Sequence, residues 1–186
     1  MKIYSQDEQI NVSQSIIKYL SETYYYRHNA NSGTLSTYYP GISFAIGWPT
    51  NLEQLDLPLI SLSSVATPPT EPYTYAAWNE KLFAFRLDLF AGGETTNSIL
   101  DERKNSFMRD RMMSDVKTLL EENAGNTYVD LYNFADIIDS GTSYRIAGDI
   151  FIADVTAVPL EPTGDIEADR YRAAIDFNAS IIFSQD

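Results

Sequence analysis

The sequence predicts an α+β domain: a mixed, largely antiparallel sheet with helices packed on one face and a long C-terminal β-hairpin. Three observations predict it. Residues 9–22 and 97–122 place apolar side chains at helical spacing. In residues 80–91 the odd positions Phe83, Phe85, Leu87 and Leu89 are all large and apolar, alternating with Leu82, Ala84, Arg86, Asp88 and Phe90. Residues 143–159 and 169–183 are two more strand-like runs joined by a short segment containing Pro162 and Gly164, which suits an antiparallel hairpin. The 186 residues suit a single domain, 1–186, long enough to bury a real core.

The first helix, over 9–22, turns Ile10, Ile16, Ile17, Leu20 and then Tyr24 to one broad face, with Asp7 and Glu8 at its start, where negative charge suits the helix dipole. Lys18 and Glu22 are four apart and face each other. Residues 27–40 are polar and contain Gly33, which reads as an extended loop. Gly41–Trp48 is a short apolar strand ended by Pro49. Leu59–Val65 is another, and the segment 66–78, with Pro68, Pro69 and Pro72, reads as a long exposed connection.

In residues 80–91 the odd positions Phe83, Phe85, Leu87 and Leu89 are expected to face the core, while Arg86 and Asp88 share the other face. The main helix, 97–122, takes Asn97 or Ser98 as N-cap. Its apolar stripe is Leu100, Phe107, Met108, Met112, Val116, Leu119 and Leu120, and Gly125 is the expected stop. Residues 127–134 suit a strand. Within 143–159 the apolar positions change parity, from Ile146, Ile150 and Ile152 to Val155 and Ala157, which predicts a bulge or sharp bend. In the last strand Tyr171, Ala173, Ile175, Phe177, Ala179, Ile181 and Phe183 alternate with polar residues, and the hairpin 143–183 is expected to project from the body.

Composition excludes several function classes. The chain carries 26 acidic and 13 basic side chains, net −13, which argues against gripping nucleic acid or docking on anionic membrane. With no cysteine there is no disulfide, thiolate metal site or cysteine catalysis. The polar N-terminal stretch has no apolar core of a signal peptide, and no window reaches the roughly 18 apolar residues of a membrane span.

Catalytic constellations are thin. His28 is the single histidine and lies in a polar stretch. There is no Gly-x-Ser-x-Gly elbow, phosphate-binding loop or dinucleotide fingerprint. Carboxylate pairs such as Asp136 with Asp139, or Asp149 with Asp154, leave a hydrolase as a minor alternative. The series Asp165, Glu167, Asp169 with Asp176 imitates the opening of a calcium loop, but Arg170 stands where that loop needs glycine. No metal site, no cofactor and no enzymatic activity are expected.

Assembly has better support. Tyr24, Tyr25, Tyr26, Tyr73, Tyr75 and Trp78 lie in or beside presumed loops, and aromatic residues are enriched at interfaces. Glu161, Asp165, Glu167 and Asp169 mark the acidic tip of the hairpin, and an exposed hairpin edge suits strand addition by a neighbour. A carbohydrate-binding module using exposed tyrosines with Trp48 or Trp78 is a further alternative.

The element order resembles that of the tail terminator (tail completion or neck) proteins of long-tailed bacteriophages, over roughly residues 9–183. The resemblance rests on the N-terminal helix, the strand Pro58-Leu59-Ile60-Ser61-Leu62 and the strand Leu82–Ala91 leading into the helix with Asp101-Glu102-Arg103, Met112 and Leu119-Leu120. The closing pieces are Ala147-Gly148-Asp149-Ile150 and Asp169–Phe177. It implies a non-enzymatic virion protein, made in the host cytoplasm, that forms a homohexameric ring capping the tail tube. Its implied partners are tail tube and sheath or neck/connector proteins, and genomic DNA passes the channel without specific binding. Another neck, head-completion or stopper ring protein is the alternative within that class. An acidic channel wall would repel phosphate and let DNA slide.

Overall fold

The computed structural model describes residues 5–30, 42–48, 57–66, 78–91, 99–126, 128–134, 144–160 and 171–184. In chain order these form α1 (Ser5–Ala30), β1 (Ser43–Ile46), β2 (Leu59–Ala66), β3 (Trp78–Phe90), α2 (Ile99–Asn126), β4 (Val129–Asn133), β5 (Tyr144–Pro159) and β6 (Arg172–Ser184). The strands make one six-stranded curled sheet in the order β1-β2-β3-β6-β5-β4. Only β1 and β2 run parallel; every other pair is antiparallel. The α+β architecture is therefore the one the sequence predicts.

Both helices lie against one face of this sheet. Phe83, Phe85, Leu87 and Leu89 of β3 are buried there, as the alternation requires, with Ile60 and Leu62 of β2 and Ile175, Phe177 and Ile181 of β6. Over them lie Val12, Ile16, Leu20 and Tyr24 of α1 and Met112, Val116, Leu119 and Leu120 of α2. The four α1 residues recur every four positions, which keeps them on one side of the helix. That series corrects two expectations. Ile10, two residues from Val12 and so nearly opposite it, is exposed. Tyr24, expected at an interface, is instead the end of the buried stripe, 4% exposed. On α2, Phe107 falls outside the stripe of Met108, Met112, Val116, Leu119 and Leu120 and is 64% exposed.

Helix bounds also differ from expectation. α1 continues through Ala30, so residues 27–30 of the expected loop are helical. α2 continues through Asn126, so Gly125 sits within its last turn instead of stopping it. Residues 31–40, 67–77, 97–98 and 161–170 lie outside the described residues, and with them the two candidate N-caps and most of both long connections.

The expected bulge is present in β5. Ala153 pairs with Asn178 and Thr156 with Asp176, so two residues, Asp154 and Val155, stand opposite Phe177. The extra residue restores the apolar face: Ile150 and Ile152 point to the core before it, Val155 and Ala157 after it. Asp154 takes a φ of 55° at the bulge, a left-handed conformation that aspartate tolerates better than most residues. Its carboxylate accepts a 2.9 Å hydrogen bond from Asn178 Nδ2.

The hairpin is built into the sheet. β6 is paired on both sides, along its whole length with β3 and along most of it with β5, so the described strands belong to the sheet. Long-range pairing supplies more hydrogen bonds and burial than a free arm would. Residues 143 and 161–170, the latter with the tip expected to project, lie outside the described residues. The outer edge of β4 is covered by α1: Ser15 Oγ accepts from the Tyr132 N–H at 2.9 Å and Asn11 Oδ1 from the Phe134 N–H at 2.6 Å. Such a cover satisfies edge donors that would otherwise recruit another strand.

Candidate functional site

The face of the sheet away from the helices carries the chemistry. Direct cross-strand partners point to the same side, so the registers place Leu59, Ser61 and Ser63 of β2 beside Phe90, Asp88 and Arg86 of β3. Arg172, Ala174 and Asp176 of β6 come next. Asp149 of β5 and Asp130 of β4 continue the same side. Among the described residues the face holds five aspartates (88, 130, 149, 154 and 176) and three arginines (86, 145 and 172).

Each arginine is engaged by aspartate. Arg86 meets Asp176 through two parallel hydrogen bonds, Nε to Oδ1 at 2.7 Å and Nη2 to Oδ2 at 2.9 Å. The hydrogen bond and the Asp176 charge hold the Arg86 guanidinium above its ordinary pKa, against partial desolvation. Arg145 Nη2 bridges Asp130 at 2.7 Å and Asp149 at 3.2 Å, so one cation relieves two carboxylates that face each other across β4 and β5.

Arg172 is held differently. It donates Nε at 3.1 Å and Nη2 at 2.6 Å to Asp88 Oδ1. Its guanidinium lies 4.5 Å from the Trp48 ring centroid and 5.5 Å from that of Phe90. Asp88 is 1% exposed and the Arg172 side chain 13%. The cover begins at Gly47, whose φ of 88° suits a residue without Cβ. Gly47 donates its N–H to the Leu62 carbonyl at 2.7 Å and accepts from the Ser61 hydroxyl, which brings Trp48 over this side of the sheet. Trp48 itself remains half exposed and meets Phe90 edge-on at 6.3 Å.

The two ion pairs therefore differ in depth. Arg86 and Asp176 are each about two-fifths exposed, so Arg86→Gln is expected to cost about 0–1 kcal/mol of folding stability, less at high salt. Denaturant unfolding at two ionic strengths checks this; a loss above about 2 kcal/mol contradicts it.

The candidates named from sequence are scattered. Tyr24 is in the core. Tyr25 and Tyr26 lie in α1, and Trp78 opens β3 opposite Ser184. Tyr73, Tyr75, Glu161, Asp165, Glu167 and Asp169 lie outside the described residues. The pair Asp149 and Asp154 shares one strand, and Asp149 is held by Arg145. The arginine–aspartate pairs had a partial signal in the sequence, since Arg86 and Asp88 share one parity, as do Arg172 and Asp176. The antiparallel register that joins β3 to β6 was not legible there.

Among the described residues, no group of three or more His, Asp or Glu side chains is placed to hold a metal ion. No helix there is long and apolar enough to cross a membrane. Compared with known proteins, the chain matches no family model and no curated protein.

Proposed function

We propose that the chain is a structural subunit of a bacteriophage tail, a ring protein that caps the tail tube and joins it to the head or neck around a channel for DNA. One observation carries the reading. Both helices occupy one side of the sheet, and the other side is an acidic wall on which aspartates bind its three described arginines, the Arg172–Asp88 pair buried beneath Trp48 and the others exposed.

Such a wall suits a surface past which DNA moves. An arginine held by a carboxylate has little charge left to exchange for phosphate counterions, which is the main source of non-specific affinity. The surplus aspartates repel phosphate over roughly a Debye length, about 8 Å at physiological ionic strength. A ring repeats the −13 charge of the chain in every subunit. The element order supports the same reading: the N-terminal helix, the strands at Leu59 and Leu82, the second helix and the closing hairpin strands, on which the sequence resemblance rests, follow one another in that order.

The test is the native mass of the purified chain, alone and mixed with tail tubes, together with negative-stain images. A hexameric ring of the 21.0 kDa chain, seated at tube ends, is expected. A monomer under both conditions overturns the reading. The assembled ring should leave short duplex DNA unretarded at about 0.1 M salt, and tight retention would overturn the channel role.

A further inference from the structure

The two margins of the sheet are unlike each other. On one side β4 stops early. Its last pairing with β5 is Val129 with Ile150, so β5 from Phe151 to Pro159 has no strand on its outer side among the described residues. On the other side β1 pairs, among the described residues, only with β2, and α1 packs against both.

The main-chain groups that these margins offer follow from the bonds already made. Leu160 donates its N–H to the Arg172 carbonyl at 3.0 Å, so Leu160, Val158 and Thr156 face β6. Ala157 and Pro159 then face outward, offering one N–H and two carbonyls, because proline has no N–H. In β1, Ser43 donates to the Pro58 carbonyl at 2.9 Å and Gly47 to the Leu62 carbonyl at 2.7 Å. The odd residues face β2, and Phe44 and Ile46 direct their N–H and carbonyl groups outward.

We infer that the outer edge of β5 at Thr156–Pro159 receives β1, Ser43–Ile46, of a second copy of this chain, continuing the sheet from subunit to subunit. The inference rests on the ring reading and names the contact that builds the ring.

Length, direction and charge all fit. β1 has four residues, and the β5 edge between the bulge at Asp154 and Pro159 is about as short. Within one subunit β1 and β5 run in opposite senses, as the chain of pairings requires. Copies related by an axis along the strands therefore meet antiparallel, the more stable arrangement. Two β5 edges meeting each other would bring together margins that carry Asp130, Asp149 and Asp154, whereas β1 has no charge. Val158, 41% exposed, lies beside this edge, and Ile46, 44% exposed, lies on β1. An edge of one kind joined to an edge of another is a heterologous contact, the kind that generates a ring when the rotation between copies closes.

The absence of cysteine gives a clean background for a cross-linking test. Ala45 lies on the same side of the sheet as Thr156 and Val158. Setting Ala157 opposite Ile46 places Ala45 across from Val158; setting it opposite Phe44 places Ala45 across from Thr156. Ala45→Cys combined with Val158→Cys, or with Thr156→Cys, should give under oxidation a ladder of covalent oligomers ending at the ring. Single variants should stay uncross-linked. Ala157→Pro removes the one outward N–H and should weaken ring formation at least tenfold, while the melting temperature of the subunit stays near wild type.

Rings of normal native mass with no ladder in either register overturn the inference and leave the ring reading standing. So does a dimer from Val158→Cys alone at the yield of the double variant, which reports β5 against β5. A chain that never forms rings overturns both.

Discussion

Arg172→Met is expected to lower folding stability by about 3–5 kcal/mol, because it leaves the Asp88 carboxylate buried without its cation. Asp88 is 1% exposed, so water cannot replace the two hydrogen bonds that Arg172 donates to Oδ1. The rings of Trp48 and Phe90 on the guanidinium add a cation–π contribution that also disappears. Equilibrium denaturation of both proteins measures the loss. Adding Asp88→Asn to the same chain removes the buried charge and should recover at least half of it. A single variant with a loss under about 1 kcal/mol would mean that Asp88 is solvated, and would overturn the burial argument.

Phe85→Ala is expected to cost a similar amount, about 3–5 kcal/mol, by a different mechanism. Phe85 lies on β3, in the middle of the sheet, and is 1% exposed. It stacks with Phe83 at 6.2 Å between ring centroids and tilts against Phe177 at 5.7 Å. Truncation leaves a cavity between a rigid sheet and the two helices, which cannot collapse into it fully. Against a total of about 5–15 kcal/mol for a domain, either substitution removes a large part of the margin. Denaturant midpoints check this too. A loss below about 1.5 kcal/mol would mean that the cavity closes by rearrangement of the surrounding core.

Much of the fold was legible because the signals are local. Alternation along residues 80–91 sets which β3 side chains face the helices, and the parity change after Ile152 locates the β5 bulge within two residues. The stripe Met112, Val116, Leu119 and Leu120 marks the buried side of α2. The errors came where one local pattern admits two outcomes. Tyr24 carries both an interface composition and the four-residue spacing of Val12, Ile16 and Leu20, and burial followed the spacing. Ile10 and Phe107 are apolar but lie off those stripes, and they stay 48% and 64% exposed among the described residues. The neighbours of the hairpin strands were not legible, because alternation says nothing of which strands flank them.

By itself the sequence determined the α+β class, the acidic balance, the absence of thiol chemistry and the inward face of nearly every described element. These depend on residue type and period, which a linear chain displays. Only the tertiary structure decided that β6 lies inside the sheet, that α1 covers the edge of β4, and that Arg172 and Arg86 meet Asp88 and Asp176. Those outcomes depend on strand order and register. The paired residues stand 84 and 90 positions apart, and only the folded sheet brings each arginine to its carboxylate.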